Sequence, residues 1–442
     1  YNDYYNIGNG FYRDTNNDPE KRGTKYPESE SSSKTESYIV SFFGRANYIG
    51  WNQLMLTATV RADGSSRFAP EHRWGIFPSV ALGWKIKETF LQDVNEINDL
   101  KLRLGYGITG QQETGLGDYP YMATYTISQD HAYYPIGGEE NMLLDKEGNP
   151  VKDSNGNQLY TTYRPNAFNR YLTWEKTTTY NAGIDFGFLN NRVSGSIDYY
   201  FRQTDDLLNT IPVAVGTNFR NKVISNVGSL NNQGVEFAIN AVAIDKKNFK
   251  WDLGFNITYN ENKITKLNTG EDQTPIPVGG ISCGTGNTIQ RHAVGYPAYS
   301  FYVYEAAEGT HENGEKYWYV VDRNEDGEIS EADQYYYKSR NAPITMGFQT
   351  KFQFYGFDLG ISLRSNVGNY VYNDVLAANL QYADPTNLYR NGYHNLLRSA
   401  YDTYHNKGMK SNVIYKDPEG MTPGFSEWYR LDYFVENASF LR

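Results

Sequence analysis

A twelve-residue segment of the sequence, residues 322–333, has the spacing of a calcium-binding loop. Oxygen-bearing side chains recur at its first, third and fifth positions, glycine stands at the sixth and an apolar residue at the eighth, as in the EF-hand pattern. The candidate metal ligands are Asp322, Asn324, Asp326, Glu328 and Asp333. Calcium takes about six to eight oxygen ligands from a tightly turned loop, which is why oxygen-bearing residues at alternate positions indicate this ion.

Two features of the segment depart from that pattern. Asp333 stands where a bidentate glutamate is usual, which would weaken the affinity, and residues 318–321 before the loop look like a strand rather than a helix. The alternative is an acidic turn, rich in Asn, Asp and Gly, that binds no ion. In both cases we expect the segment to stiffen a loop. If Ca²⁺ binds, its role is expected to be structural, and we expect the protein to require no cofactor.

The sequence offers little for catalysis. The six histidines are scattered, and the HExxH pattern of zinc proteases does not occur. With 51 Asp and Glu residues, no pair of carboxylates can be singled out. The single cysteine, Cys283, cannot form a disulfide within the chain and lies far from any N-terminus that could carry a lipid. We therefore predict that the protein is not an enzyme.

Tyrosines provide a chemistry of recognition instead. Aromatic faces stack on sugar rings while Asn, Asp and Arg bond to hydroxyl groups, and peptides use the same surfaces through their backbones. One group lies in residues 111–171 and another, Tyr335 to Tyr337, follows the calcium-like loop. The first group comprises Tyr119, Tyr121, Tyr133, Tyr134, Tyr160 and Tyr163. Loop tyrosines also serve as ordinary packing residues, so the substrate-binding residues stay unknown at this stage.

Strict alternation of apolar and polar residues defines the elements that must position these loops. In residues 191–202, for example, Val193, Ile197 and Phe201 alternate with Ser, Asp and Arg. Because successive side chains of a strand point to opposite faces, such a segment has one apolar and one polar face. The pattern recurs at residues 100–108, 182–188, 235–241, 251–260 and 357–364. No long stretch has helical spacing, so the chain is predicted to be nearly all β.

The connections between these strands alternate between short and long. Tight turns are predicted at Asn190–Asn191 and at Tyr355–Gly356, whereas residues 111–171, 265–298 and 371–428 form long connections. Short turns at one end and long loops at the other are typical of a transmembrane β-barrel. Soluble sandwiches and propellers also alternate, but aromatic residues near strand ends and a polar opposite face favour the membrane.

The composition excludes several classes of protein. The 442 residues carry 41 Lys and Arg against 51 Asp and Glu, a formal net charge of −10, with no basic cluster. Binding to phosphates requires concentrated Lys and Arg, so we expect no nucleic acid partner. No apolar run reaches the ~18 residues of a transmembrane helix. An aromatic share of 16% supplies ample packing surface and argues against disorder.

Several longer motifs occur in a defined order along the chain. They are RADGSSRF at residues 61–68, RWGIFPS at 73–79, LKLRLGYGITGQ at 100–111, LTWEK at 172–176, NAGIDFGF at 181–188 and NVGSL at 226–230. Together they resemble the SusC-like branch of the TonB-dependent outer-membrane transporters. These motifs specify strands and turns rather than a reaction, so what they indicate is a fold.

The resemblance implies both an architecture and an activity. Family members form a plugged antiparallel β-barrel of about 22 strands in the bacterial outer membrane, with long extracellular loops. They import oligosaccharides or oligopeptides with energy from TonB, which contacts an N-terminal segment, and a SusD-like surface lipoprotein closes over the barrel as a lid. For this chain the resemblance implies an all-β, multi-pass transmembrane barrel segment surrounded by outer-membrane lipid.

The same resemblance sets the expected organisation of the chain. Residues 1–37 are expected to be a loop or strand-connecting segment and residues 38–442 the barrel portion, with the plug, the TonB-contacting segment and the last strands outside this chain. A start at Tyr1, without methionine or signal segment, suggests an interior piece of a longer protein. The lid is expected on the long loops, chiefly 111–171 and 371–428. A passive outer-membrane porin and a soluble β-rich glycan-binding or adhesin domain remain as alternatives.

Overall fold

Strand periodicity produces one large antiparallel sheet in the computed structural model of the chain. The structure describes residues 2–7, 30–112, 119–132, 142–144, 149–212, 222–267, 273–282, 286–310, 314, 316–381 and 428–442. Within them, eleven strands form a sheet in the order β3-β4-β5-β6-β9-β10-β13-β14-β21-β22-β25. Each long strand therefore pairs with the next long strand along the chain, as the sequence predicts for an antiparallel meander.

The strands have the following bounds. The first twelve are β1 Asn2–Ile7, β2 Glu30–Thr35, β3 Ile39–Gly50, β4 Leu54–Ser65, β5 Trp74–Lys85, β6 Ile97–Gln111, β7 Tyr125–Ala132, β8 Tyr160–Pro165, β9 Glu175–Phe188, β10 Val193–Asp205, β11 Leu208–Pro212 and β12 Lys222–Asn226. The others are β13 Ser229–Lys246, β14 Phe249–Lys266, β15 Ile276–Gly280, β16 Thr288–His292, β17 Ser300–Val303, β18 Ala306–Thr310, β19 Lys316–Val320, β20 Tyr335–Ser339, β21 Ile344–Phe354, β22 Phe357–Val367, β23 Tyr370–Tyr372, β24 Val435–Asn437 and β25 Phe440–Leu441.

Helices are short in the described residues. The α-helices are α1 Ile86–Phe90 and α2 Asp374–Gln381, and single 3-10 turns occupy Pro70–His72, Glu331–Asp333, Trp428–Arg430 and Asp432–Phe434. Neither α-helix in this part of the chain has the length and apolar composition needed to cross a membrane.

One face of the large sheet is apolar and exposed. The strand register places apolar residues of neighbouring strands directly opposite one another. One row of such residues crosses five strands and consists of Leu104, Ala182, Tyr199, Val235 and Tyr259. All five are exposed. An exposed apolar surface this continuous needs an apolar environment, as the surface of a transmembrane strand does.

Aromatic rings lie towards both ends of the apolar face. Near the hairpin turns, Trp251 stacks on Phe352 with 5.4 Å between ring centroids. Towards the long loops, Tyr106 lies 5.2 Å from Tyr180. Two such bands match the aromatic girdles that sit at the two interfaces of a bilayer.

The structure confirms that the sheet has short turns at one end and long loops at the other, but one long loop differs from the prediction. The turns after β3, β9, β13 and β21 are short, and Leu189, Asn190 and Asn191 adopt positive φ in one of them. At the other end, the connection predicted at 265–298 extends over residues 267–343 and contains a four-stranded sheet, β15-β16-β17-β20. Alternation reveals a strand but not the sheet to which it belongs, which is why the sequence underestimated this loop.

A small aromatic core stabilises the loop end of the large sheet. It consists of Phe68, Phe77, Leu172 and Trp174. The Trp174 ring lies 5.5 Å from that of Phe68 and 5.3 Å from that of Phe77, and its Nε1 donates a hydrogen bond to the carbonyl of Arg73 at 2.8 Å. Three of the sequence motifs, at 61–68, 73–79 and 172–176, therefore pack against one another.

Candidate ligand-facing surface and calcium-like loop

A network of charged residues lies on the polar face of the large sheet. Arg103 donates through Nε to both carboxylate oxygens of Asp185 at 2.9 Å and through Nη2 to Asp198 at 2.8 Å. Lys101 is 3.6 Å from Asp185. A side chain at Gly183 would collide with the Asp198 carboxylate, so glycine leaves room for the network. The polar face is therefore a crosslinked, hydrophilic wall formed by three neighbouring strands.

The sequence did not single out this network, although the signal was present. Arg103, Asp185 and Asp198 all occupy polar positions in alternating segments. Their pairing depends on the strand register, which places Asp185 opposite Lys101 and Asp198 opposite Gly183. Alternation predicts the face on which a residue lies but not its partner on the next strand.

The four-stranded loop sheet has its own core and is joined to a segment near residue 432. Ile289, Phe301, Val303 and Val435 form that core. The carboxylate of Asp432 accepts hydrogen bonds from the backbone N–H of Ala306 at 2.9 Å and from the hydroxyl of Tyr335 at 2.8 Å. Burial raises the pKa of Asp432, and burial together with this hydrogen bond raises the pKa of Tyr335.

The loop sheet is also attached to the polar side of the large sheet. The backbone N–H of Ala298 donates to Asn262 Oδ1 at 2.9 Å, and that of Ile264 donates to the carbonyl of Tyr296 at 2.9 Å. Asn262 occupies a polar position near the loop end of β14. The loop sheet thus begins where the hydrophilic wall ends.

The predicted group Tyr335 to Tyr337 is divided between the two faces of β20. Tyr335 and Tyr337 pack against the core of the loop sheet. Tyr336 instead lies 3.9 Å from Tyr296 and 4.9 Å from Tyr302, measured between ring centroids. One face of the loop sheet therefore presents tyrosine rings that its core does not use.

The calcium-like loop forms a tight turn held by its own side chains. Asp322 Oδ2 accepts from the N–H of Gly327 at 2.8 Å, and Asn324 Oδ1 accepts from the N–H of Asp326 at 3.0 Å. Positive φ angles at Glu325 and Gly327 produce the sharp turn. The strand β19 precedes the loop, so the prediction that no helix stands there is confirmed.

Two observations bear on a cation in this loop, and they point in opposite directions. Asp322 Oδ1 is shielded from solvent and has no hydrogen-bond partner, so this oxygen is available as a metal ligand. Asp333, however, is fully buried and accepts from the N–H groups of Arg323 and Ser330, both at 2.8 Å. Nowhere in the described ranges do three His, Cys, Asp or Glu side chains converge on a point that could hold a metal. Calcium binding by this loop stays a prediction.

The other residues considered from the sequence have varied positions. Tyr119 bonds through its hydroxyl to the backbone of Glu36, at 3.0 and 3.3 Å, which is a structural contact. Tyr160 and Tyr163 belong to β8, Tyr121 is half-buried, and Tyr133, Tyr134 and Cys283 lie outside the described residues.

A GxSxG string at residues 280–284 has the spacing of a serine nucleophile turn, which the sequence analysis did not single out. The string follows β15, and the described residues after it, 286–292, lead into β16 rather than into a helix. Such a nucleophile requires a strand–turn–helix, so the string carries no catalytic prediction.

Comparisons with known proteins agree with this architecture. Residues 1–319 match the family model described as "TonB dependent receptor-like, beta-barrel". The chain is 45% identical over 412 residues to the TonB-dependent receptor SusC of Bacteroides thetaiotaomicron, covering 92% of this chain and 37% of that protein. It is 31% identical over 367 residues to the TonB-dependent receptor P3 of Formosa agariphila, covering 78% of this chain and 33% of that protein.

A solved structure has the same architecture. The structure of the RagAB peptide transporter superposes with a TM-score of 0.70 at 26% identity, covering 96% of this chain and 42% of that one. The chain thus spans well under half the length of the relatives that it matches.

Proposed function

The chain belongs to the SusC-like branch of the TonB-dependent receptor family, and on that basis we propose that it is part of an energised importer of oligosaccharides or oligopeptides. The importer would reside in the bacterial outer membrane as a multi-pass barrel. Family membership supports the energised import, and the observation that supports the membrane barrel is the two-faced sheet, whose apolar residues are exposed along one face while charged residues such as Arg103 and Asp185 crosslink the other. No covalent chemistry is required of it.

This two-faced sheet also bears on the alternatives. A soluble glycan-binding or adhesin domain would expose to water the row from Leu104 to Tyr259, at a substantial cost in solvation free energy. A passive porin would share both faces but would need no energy input. Energy dependence is therefore what separates the importer from the porin.

We further propose that a SusD-like lipoprotein lid binds the long-loop end, chiefly at loops 111–171 and 371–428. TonB would act through a part of the protein outside this chain. Length supports this placement, because β6 is separated from β9, and β22 from β25, by far more residues than a hairpin needs.

Uptake by intact cells tests the proposed function. Cells lacking the full-length protein should lose uptake of its labelled oligosaccharide or oligopeptide substrate, and cells with inactive TonB should lose it to the same extent. Photo-crosslinkers placed at Tyr121, in a long loop, should capture the lipoprotein, whereas the same group at Lys247, in a short turn, should not. Uptake that persists without TonB would favour the porin, and crosslinks found only on the short turns would exclude the proposed lid surface.

For residues 322–333 we propose a structural Ca²⁺ site, supported by the ligand spacing and by the unpaired Asp322 Oδ1. Saturating Ca²⁺ should raise the melting temperature of the full-length protein, because an ion at about 100-fold excess over its Kd adds about 2.7 kcal/mol of stability. Asp322→Asn should abolish that rise, whereas Asp153→Asn, in an acidic turn that binds Asn155 and Asn157, should keep it. A melting temperature that is insensitive to Ca²⁺ in all three proteins would show that the loop is only a turn.

A further inference from the structure

The strands of the loop sheet and their flanks carry three cations and no carboxylate, although the segment between β17 and β20, residues 305–333, is acidic. Residues 273–304 and 334–344, which form its four strands and their flanks, contain no Asp or Glu but include Arg291, Lys338 and Arg340. The whole chain has a net charge of −10. A local cluster of positive charge raises the concentration of anions next to it, although the net negative charge of the whole chain opposes their approach.

Aromatic rings and cations form a continuous row on the exposed face of this sheet. Tyr296 stacks on Tyr336 with an interplanar angle of 25°, and Tyr336 contacts Tyr302. The Arg291 guanidinium lies 3.9 Å from the centre of the Tyr302 ring and so extends the row. This set of four residues is called here the tyrosine–arginine row.

A second cation–ring pair lies at the end of β20, the strand that carries Tyr336. The Arg340 guanidinium lies 3.4 Å from the centre of the Tyr299 ring. Stacking on a ring holds a guanidinium in place without using its in-plane N–H donors, which can then bond to an anion.

The charges of this surface are weakly compensated by the rest of the protein. Arg291 has a carboxylate neighbour in Glu331, but at 4.0 Å, and the Glu331 side chain is 73% exposed. Within the described part of the chain, Arg340 makes no ion pair and is exposed. Tyr296 is 42% exposed, while Tyr302 and Tyr336 are half-buried and thus held in place. The surface combines fixed rings with an exposed arginine, Arg340, and with Arg291, whose side chain is 25% exposed and has Glu331 as a neighbour.

The row also lies close to the hydrophilic wall of the large sheet. Tyr296 accepts a hydrogen bond from Ile264 at the end of β14, and Ala298 bonds to Asn262 on the polar side of that strand. A ligand on the row would therefore sit next to the polar face along which a hydrophilic substrate would pass.

We propose that the tyrosine–arginine row, with Arg340, binds an acidic oligosaccharide, one whose sugars carry carboxylate or sulfate groups. Sugar rings would stack on the tyrosines while the acidic groups pair with the two guanidinium groups, in the fork geometry that arginine favours. An acidic peptide would satisfy the cations but has no regular series of rings to match the tyrosines. An acidic glycan as cargo rests on the importer function proposed above, whereas its binding can be measured without transport.

Calorimetry on the purified full-length protein with its lid partner tests this binding. The probes are hexagalacturonate and a sulfated hexasaccharide, each compared with its neutral counterpart, and hexaglutamate as a peptide of similar charge. At least one acidic glycan should bind about 10-fold more tightly than its neutral counterpart and than hexaglutamate. Equal binding of acidic and neutral glycans, or tighter binding of hexaglutamate, would overturn the proposal.

Variants assign the binding to this surface. The double variant Arg291→Gln and Arg340→Gln should weaken binding of the acidic glycan about 10-fold or more, and Tyr336→Leu about 5-fold. Lys247→Gln removes a charge in a hairpin turn and should bind like the wild type. Unchanged binding by the arginine double variant, once normal levels in the outer membrane show that it folds, would contradict the assignment. TonB-dependent uptake of another substrate would then leave the importer function standing.

Discussion

Replacing Phe255 by arginine should destabilise the protein in its membrane by about 2–4 kcal/mol, the cost of an arginine on the lipid-facing side of a barrel near the bilayer midplane. Phe255 lies midway along β14 between Trp251 and Tyr259, which mark the two aromatic bands of that strand. Its neighbours across the sheet are Ile239 and Phe348, so lipid and apolar side chains surround the position. An arginine there could reach neither water nor a carboxylate.

The adjacent residue provides a matched control. Asn256 is exposed on the polar face, beside Gly347, which has no side chain to obstruct a larger residue. Asn256→Arg should therefore change the free energy of unfolding by less than about 1 kcal/mol, as most surface substitutions do. The measurement is urea unfolding of the full-length protein in lipid vesicles, together with its level in the outer membrane. Equal effects of the two variants would mean that the faces of the sheet are assigned wrongly.

Truncating Trp174 to alanine should cost about 3–5 kcal/mol of stability, the range for large-to-small changes in a packed core. Trp174 is only 3% exposed and contacts Phe68 and Phe77. Its loss would also leave the carbonyl of Arg73 without the indole N–H. The cavity would open between two segments of the chain, so we expect the loop end of the sheet to unfold first.

Two further variants separate the contributions to this core. Trp174→Phe keeps an aromatic ring but removes the N–H donor, and it should cost about 1–2 kcal/mol for the lost hydrogen bond and smaller ring. Trp51→Ala is the same truncation at a position that is 80% exposed in a hairpin turn, and its effect should be far smaller. Protease resistance of the loop end and the melting temperature report both effects. A loss for Trp51→Ala as large as that for Trp174→Ala would show that this core is not what stabilises the loop end.

The family and the two-faced strands could be predicted from the sequence because both are local properties. Alternation at residues such as Val193 and Ile197 arises from the two-residue period of a strand, which holds whatever the strand pairs with. The spacing of the calcium-like loop is likewise local. The bonds of Asp322 and Asn324 to residues a few positions away confirm its turn, although not its ion.

Properties that join distant parts of the chain were decided only by the tertiary structure. The placement of Arg103 between Asp185 and Asp198 depends on the register of three strands. The packing of Trp174 on Phe68 joins residues more than a hundred positions apart. The hydrogen bond from Tyr335 to Asp432 joins the loop sheet to a segment almost a hundred residues later in the chain.

The three consecutive tyrosines Tyr335 to Tyr337 show the same difference between what the sequence predicts and what the tertiary structure decides. From sequence, Tyr335 to Tyr337 were three equivalent rings in a loop. In the structure they alternate, so that two rings pack inside the loop sheet and Tyr336 joins Tyr296 and Tyr302 on its exposed face. The sequence by itself determines the period of a strand, because that period is a property of the backbone. Which face is buried depends on what packs against it, and only the tertiary structure decides that.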